Sequence, residues 1–93
     1  MTLAIQWREQ ARADLRAIVQ YISDRDPAAA RRLRDAILDA VATTAEHPYL
    51  YRHGRVPGTR ELVAHPNYIV VYLVGDRIEV LNVLHARQKY PNE

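Results

Sequence analysis

The 93-residue chain predicts one α+β domain, residues 1–93, ordered β-α-α-β-β-β, with a helical hairpin packed on one face of a small, mostly antiparallel sheet. Three observations carry that reading. Two stretches of helical periodicity are separated only by the break Asp24-Arg25-Asp26-Pro27. Three apolar, β-branched runs follow, divided by the turns His65-Pro66-Asn67 and Gly75-Asp76. A short alternating segment opens the chain.

In that opening segment Leu3, Ile5 and Trp7 alternate with Thr2, Ala4 and Gln6, the pattern of a half-buried strand. Its spacing with Leu3 and Ile5 puts Trp7 in the core or at its rim. The period then changes. Ala11, Leu15, Ile18, Val19 and Ile22 form one apolar stripe of a helix over about residues 8–23. Asp26 is a good N-cap, and Pro27 suits the first helical position, where its missing N–H has no partner to lose. The second helix, residues 27–46, carries Leu33, Ile37 and Val41 inward and stops at His47-Pro48, because the residue before proline avoids helical backbone. A hairpin of this kind leaves an apolar groove that something must cover.

Residues 48–59 contain Pro48, Gly54, Pro57 and Gly58 and show no period; so long a loop in so small a domain points to function. Strands follow at Arg60–His65, Tyr68–Val74 and Arg77–His85. Tyr68–Val74 is apolar almost throughout and reads as central. Gly75-Asp76 reads as a two-residue hairpin turn with glycine at positive φ. Strict alternation in the last strand puts Leu81, Val83 and His85 on one face with Arg77 and Glu79, and Ile78, Val80 and Leu84 on the other with Asn82. The sheet face away from the helices is then open and partly apolar. Ala86 to Glu93 is polar and is expected to fray.

Apolar residues make up 48% and charged residues 26%, which excludes a disordered chain. Cysteine is absent, so disulfides, thiolate nucleophiles and cysteine-bound zinc are excluded. The longest apolar run, Tyr68–Val74, is far below the ~20 residues of a membrane span. Met1-Thr2-Leu3-Ala4-Ile5 has no basic secretory leader, so a soluble cytoplasmic protein with no membrane partner is expected. Net charge is +2, yet residues 48–60 hold Arg52, Arg55 and Arg60 without an acid, and the tail adds Arg87 and Lys89. Such a cationic rim attracts a polyanion or an acidic partner; solvated loop charge accounts for the same residues.

No phosphate-binding loop, dinucleotide fingerprint, zinc-protease helix or nucleophile elbow is present. His47, His53, His65 and His85 make no helical i, i+4 pair, so no metal site and no cofactor are expected. One cluster has the parts for metal-free RNA cleavage. His85, Arg87 and Tyr90 supply a base, a cation and an acid. A strand-end histidine, a solvated arginine and a tyrosine packed on the sheet edge are the simpler account of the same three residues.

The element order and several strings resemble the RelE/ParE superfamily of bacterial type II toxins. The strings are Gly58-Thr59-Arg60-Glu61-Leu62, Tyr68-Ile69-Val70-Val71-Tyr72 and Ile78 to Arg87, with the first-helix pattern Ala11, Asp14-Leu15, Ile18, Tyr21-Ile22. The resemblance implies a growth-inhibiting toxin, with the plasmid-stabilizing role of such systems, encoded beside a ParD- or RelB-like antitoxin that neutralises it by direct binding. RelE-like members cleave mRNA on the ribosome; ParE-like members poison DNA gyrase. RelE-like enzymes use several basic residues and a C-terminal tyrosine or histidine, which here match His85, Arg87 and Tyr90, with Arg60 as a further cation. Ile69 stands where an arginine often follows the first tyrosine of the central strand, and the lysines of some nucleases have only Arg52 and Arg55 as substitutes. These departures favour a ParE-like toxin that inhibits DNA gyrase through Arg52, Arg55, Arg60, Arg87 and Lys89. The alternatives are a ribosome-dependent endonuclease and a non-toxic interaction module.

Overall fold

The computed structural model describes residues 2–91. The elements are β1 (Ile5–Trp7), α1 (Glu9–Ser23), α2 (Pro27–Glu46), β2 (Arg52–His53), β3 (Arg60–His65), β4 (Tyr68–Val74) and β5 (Ile78–His85). Both helices lie on one face of a five-stranded sheet of order β1-β5-β4-β3-β2. Only β1 and β5 run parallel; the other pairs are antiparallel. The two-residue β2 interrupts what the sequence presents as loop. Its residues are polar and pair only with Arg60 and Glu61, too short a run for periodicity to register.

The helix boundaries follow local chemistry. Asp26 is extended and its carboxylate accepts the Ala29 backbone N–H, with Pro27 in the first turn. The two helices contribute unequally. α2 buries Ala30, Leu33, Ile37, Val41, Thr44 and Ala45 over Leu62, Val70, Tyr72 and Val83, whereas α1 buries only Ala11. Leu15, Ile18 and Ile22 of α1 remain half-buried at the edge of this core, as does Trp7.

Two expectations need correction. The connection from β4 to β5 has three residues, Gly75 to Arg77, closed by the Gly75 N–H on the Arg77 carbonyl, and Gly75 does not adopt positive φ. Gly58 does, at φ 86°. Strict alternation also fails in β5. Val71 faces Asn82 and the next residue, Tyr72, faces Val80, so Leu81 is the extra residue of a bulge. The bulge brings Val83 onto the buried helix-side face with Ile78 and Val80.

The bulge lies past the last β1 partner, so the outer edge of β5, away from β4, has no neighbouring strand there. Asp14 of α1 fills the gap. Its Oδ2 accepts the Val83 N–H (3.0 Å) and the Asn82 amide (3.2 Å), and its Oδ1 accepts from Gln10. Asp14→Ala is expected to cost about 1–2 kcal/mol, the loss of acceptors for a part-buried amide. Hydrogen exchange of the Val83 amide should accelerate with it, and an unchanged rate would remove this role from Asp14.

The sheet face away from the helices is not bare. Ile69, Val71 and Leu84 point there and are all buried, while Val63 is exposed. Part of the expected frayed tail is ordered over this side. Tyr90 is half-buried, and its hydroxyl donates to Asn82 Oδ1 at 3.4 Å. Residues 92–93 of that tail lie outside the described residues.

Candidate functional site

The cationic loop is organised around an acid. Glu61 follows Arg60 in β3 and faces away from the helices, opposite Val71. Its side chain is 1% exposed. Oε1 accepts from Arg52 Nη2 at 3.1 Å; Oε2 accepts from Arg55 Nε at 3.1 Å and from the Arg55 backbone N–H at 2.9 Å. Burial pushes the Glu61 carboxyl up, but hydrogen bonds from the Arg55 backbone, Arg55 and Arg52 outweigh it and hold it below 4.5. Gly54 permits the tight curl that returns Arg55 to the sheet, because a Cβ there would collide with the Thr59 hydroxyl. The Arg55 guanidinium lies 5.4 Å from the centre of the Tyr90 ring. Burial raises the Tyr90 phenol, the Glu61 charge adds to the rise, and Arg55 opposes it.

Arg60 is also engaged. Its Nη1 donates to the Tyr51 carbonyl at 2.7 Å, and its guanidinium lies 5.0 Å from the centre of the Tyr49 ring. The three arginines predicted from the loop are therefore gathered at one end of the sheet, two on an internal carboxylate and one on backbone carbonyls. Sequence reasoning missed Glu61. Its signal was present, a lone acid at the start of a strand just after three cations.

The suspected catalytic group is not assembled. His85 lies on the helix-side face, edge-on to Tyr68 at 5.4 Å between ring centres, and its Nδ1 accepts the Arg87 backbone N–H. It lines a 500 Å³ pocket with Asp14, Tyr21 and Tyr68. Tyr90 instead joins Arg55 and Asn82 on the side that Glu61 faces. Arg87 and Lys89 are exposed in the tail. Among the described residues no three of His, Asp and Glu gather as metal ligands, and no helix is long and apolar enough to cross a membrane.

A second surface lies near the opposite edge of the sheet. Trp7, Leu15, Val19 and Leu38 line a groove of about 510 Å³, rimmed by Arg12, Arg16 and Arg34. Arg12 Nη1 donates to the Trp7 carbonyl and fixes that corner. This is the apolar groove expected of the hairpin, with cations at its margin.

Comparison with known proteins agrees with this fold. Residues 5–90 match the family model described as ParE toxin of type II toxin-antitoxin system, parDE. A Sinorhizobium fredii protein named "Putative toxin Y4kP" is 42% identical over 88 residues, covering 94% of this chain and 92% of that protein. Toxin RelE2 of Caulobacter vibrioides is 35% identical over 85 residues, covering 88% and 93%. A solved structure of the chromosomal ParDE system of P. aeruginosa superposes with a TM-score of 0.80 over 90% of this chain and 96% of that one, at 24% identity, a likeness of fold. The hypothetical protein HP0894 of Helicobacter pylori gives 0.55 at 18% identity, over 92% and 97%. The chain belongs to the ParE toxin family of type II toxin-antitoxin systems, within the RelE/ParE superfamily.

Proposed function

We propose that this toxin arrests growth by binding DNA gyrase and not by cutting RNA. One observation carries the reading: the histidine base that strand cleavage requires stands apart from Tyr90 and the loop cations. Arg52 and Arg55 already hold the Glu61 carboxylate, and His85 and Tyr90 sit on different sides of the sheet. A phosphate at the loop would compete with an internal carboxylate for its charge partners. The endonuclease alternative has two points in its favour, the name of the Caulobacter relative and the position of the Tyr90 ring beside Arg55. There Tyr90, with its phenol raised, would serve as a proton donor.

The deciding experiment pairs two assays on the purified chain. Supercoiling by DNA gyrase is expected to fall when the protein is added, while mRNA on translating ribosomes stays intact. Ribosome-dependent cleavage without any loss of supercoiling would reverse the choice. Expression without growth arrest would point to the non-toxic module.

The neutralising partner in this reading is an antitoxin encoded alongside. The groove fits an amphipathic helix whose Leu, Ile or Val side chains cover Trp7, Leu15, Val19 and Leu38, with Asp or Glu against Arg16 and Arg34. Half-buried apolar residues along α1 leave surface for that helix to cover.

A further inference from the structure

The connection from α2 to β2 combines two properties that a passive surface loop has no need to combine. It is tied down from inside, and it holds two large apolar side chains in water. The Tyr72 hydroxyl, rooted in the centre of the sheet, donates to the Pro48 carbonyl at 2.9 Å; burial pushes this phenol up to about 12, so it stays a donor. The Thr43 hydroxyl donates to the Ala40 carbonyl, which leaves it to accept from the Tyr51 hydroxyl at 2.7 Å. Arg60 clamps the Tyr51 carbonyl, and the Leu50 N–H returns to His47. Between these tethers Tyr49 is 67% and Leu50 68% exposed, more than any other large apolar side chain among the described residues.

We propose that Tyr49 and Leu50 are a preorganised knob that enters an acid-rimmed apolar cleft on the toxin's protein target. Three features select that occupant. Held aromatic and aliphatic anchors flanked by arginine have the composition of interface hot spots, and their tethering lowers the ordering cost of binding. Arg52 follows directly, 58% exposed in its side chain, and keeps donors that Glu61 does not use. A nucleic acid fits less well, because Leu50 offers no stacking face and the Arg60 guanidinium already lies against the Tyr49 ring. The knob lies beside β2, whereas the groove includes Trp7 of β1, at the other edge of the sheet. Target and antitoxin therefore meet different residues.

The inference rests on the reading that the toxin acts by binding, and the test separates the two. Wild type and Tyr49→Ala/Leu50→Ala are compared for growth arrest in a bacterial host, inhibition of purified gyrase, affinity for the antitoxin, circular dichroism and melting. At least tenfold more of the double variant should be needed for equal gyrase inhibition, with growth arrest lost and with antitoxin affinity and melting unchanged. Leu50→Lys, which only adds a charge at an exposed position, should give the same loss should the double variant melt early. Either variant, folded and as toxic as wild type, overturns the knob. Wild-type arrest with supercoiling untouched removes gyrase alone, and arrest in the host then reads the knob by itself. A wild type that arrests nothing ends both proposals.

Discussion

Replacing Arg52 and Arg55 together with alanine is expected to lower folding stability at neutral pH by about 3 kcal/mol, the cost of leaving a buried carboxylate without its cations. The two arginine side chains are 58% and 40% exposed, so the arginines themselves lose little. The loss lies with Glu61, which keeps only the Arg55 backbone N–H. For a domain of this size that is a fall in melting temperature of about 12–24 °C. The pH dependence is the sharper measurement. In the native protein the Glu61 carboxyl is held below 4.5, so the stability it contributes is complete above 4.5 and is lost as pH falls through the lowered folded value. Without the arginines, burial is left to raise the group above 4.5, and stability then declines as pH rises through the raised value. Denaturant midpoints of the native chain should rise with pH only below 4.5 and level off above it, whereas those of the variant should fall as pH rises above 4.5. Parallel slopes would show that the arginines do not hold the acid.

The second large effect concerns the groove. Arg16→Glu/Arg34→Glu should weaken antitoxin binding by about 3 kcal/mol, roughly a hundredfold, because acids on the incoming helix then meet like charge. Folding should be untouched: both residues are exposed, and the Arg34 contact with Asp35 is a surface pair at 3.7 Å. Binding measured against ionic strength adds a second reading. Affinity of the native pair should fall with salt, while that of the variant should rise or stay level. An unchanged affinity would place the antitoxin elsewhere.

The architecture was legible because its signals are local and repetitive. Leu33, Ile37 and Val41 mark α2 by spacing alone, Asp26-Pro27 marks its start, and the apolar run Tyr68–Val74 marks the central strand. The superfamily was legible in the strings around Tyr68 and Ile78. What escaped depends on contacts between distant segments. No period announces the β5 bulge; it is completed by Asp14, 68 positions away from Asn82 in the chain. Counting cations between residues 48 and 60 hid the acid at 61, which the fold turns back onto two of them. His85, Arg87 and Tyr90 are close in sequence, but a strand end and a folded-back tail carry His85 and Tyr90 to different faces. Proximity along a chain is a poor guide to a site wherever a sheet stands between.

The uneven shares of the two helices bear on how long the lone molecule survives. α1 is held by one fully interred residue and a half-wet stripe, so it is expected to open before α2, which faster hydrogen exchange of its amides would show. Its link to α2 is exposed and carries Arg25, a cleavage point for trypsin-like proteases once the helix swings out. A partner seated along α1, as proposed for the antitoxin, is therefore expected to slow cleavage at this link, and limited proteolysis with and without it would measure the effect.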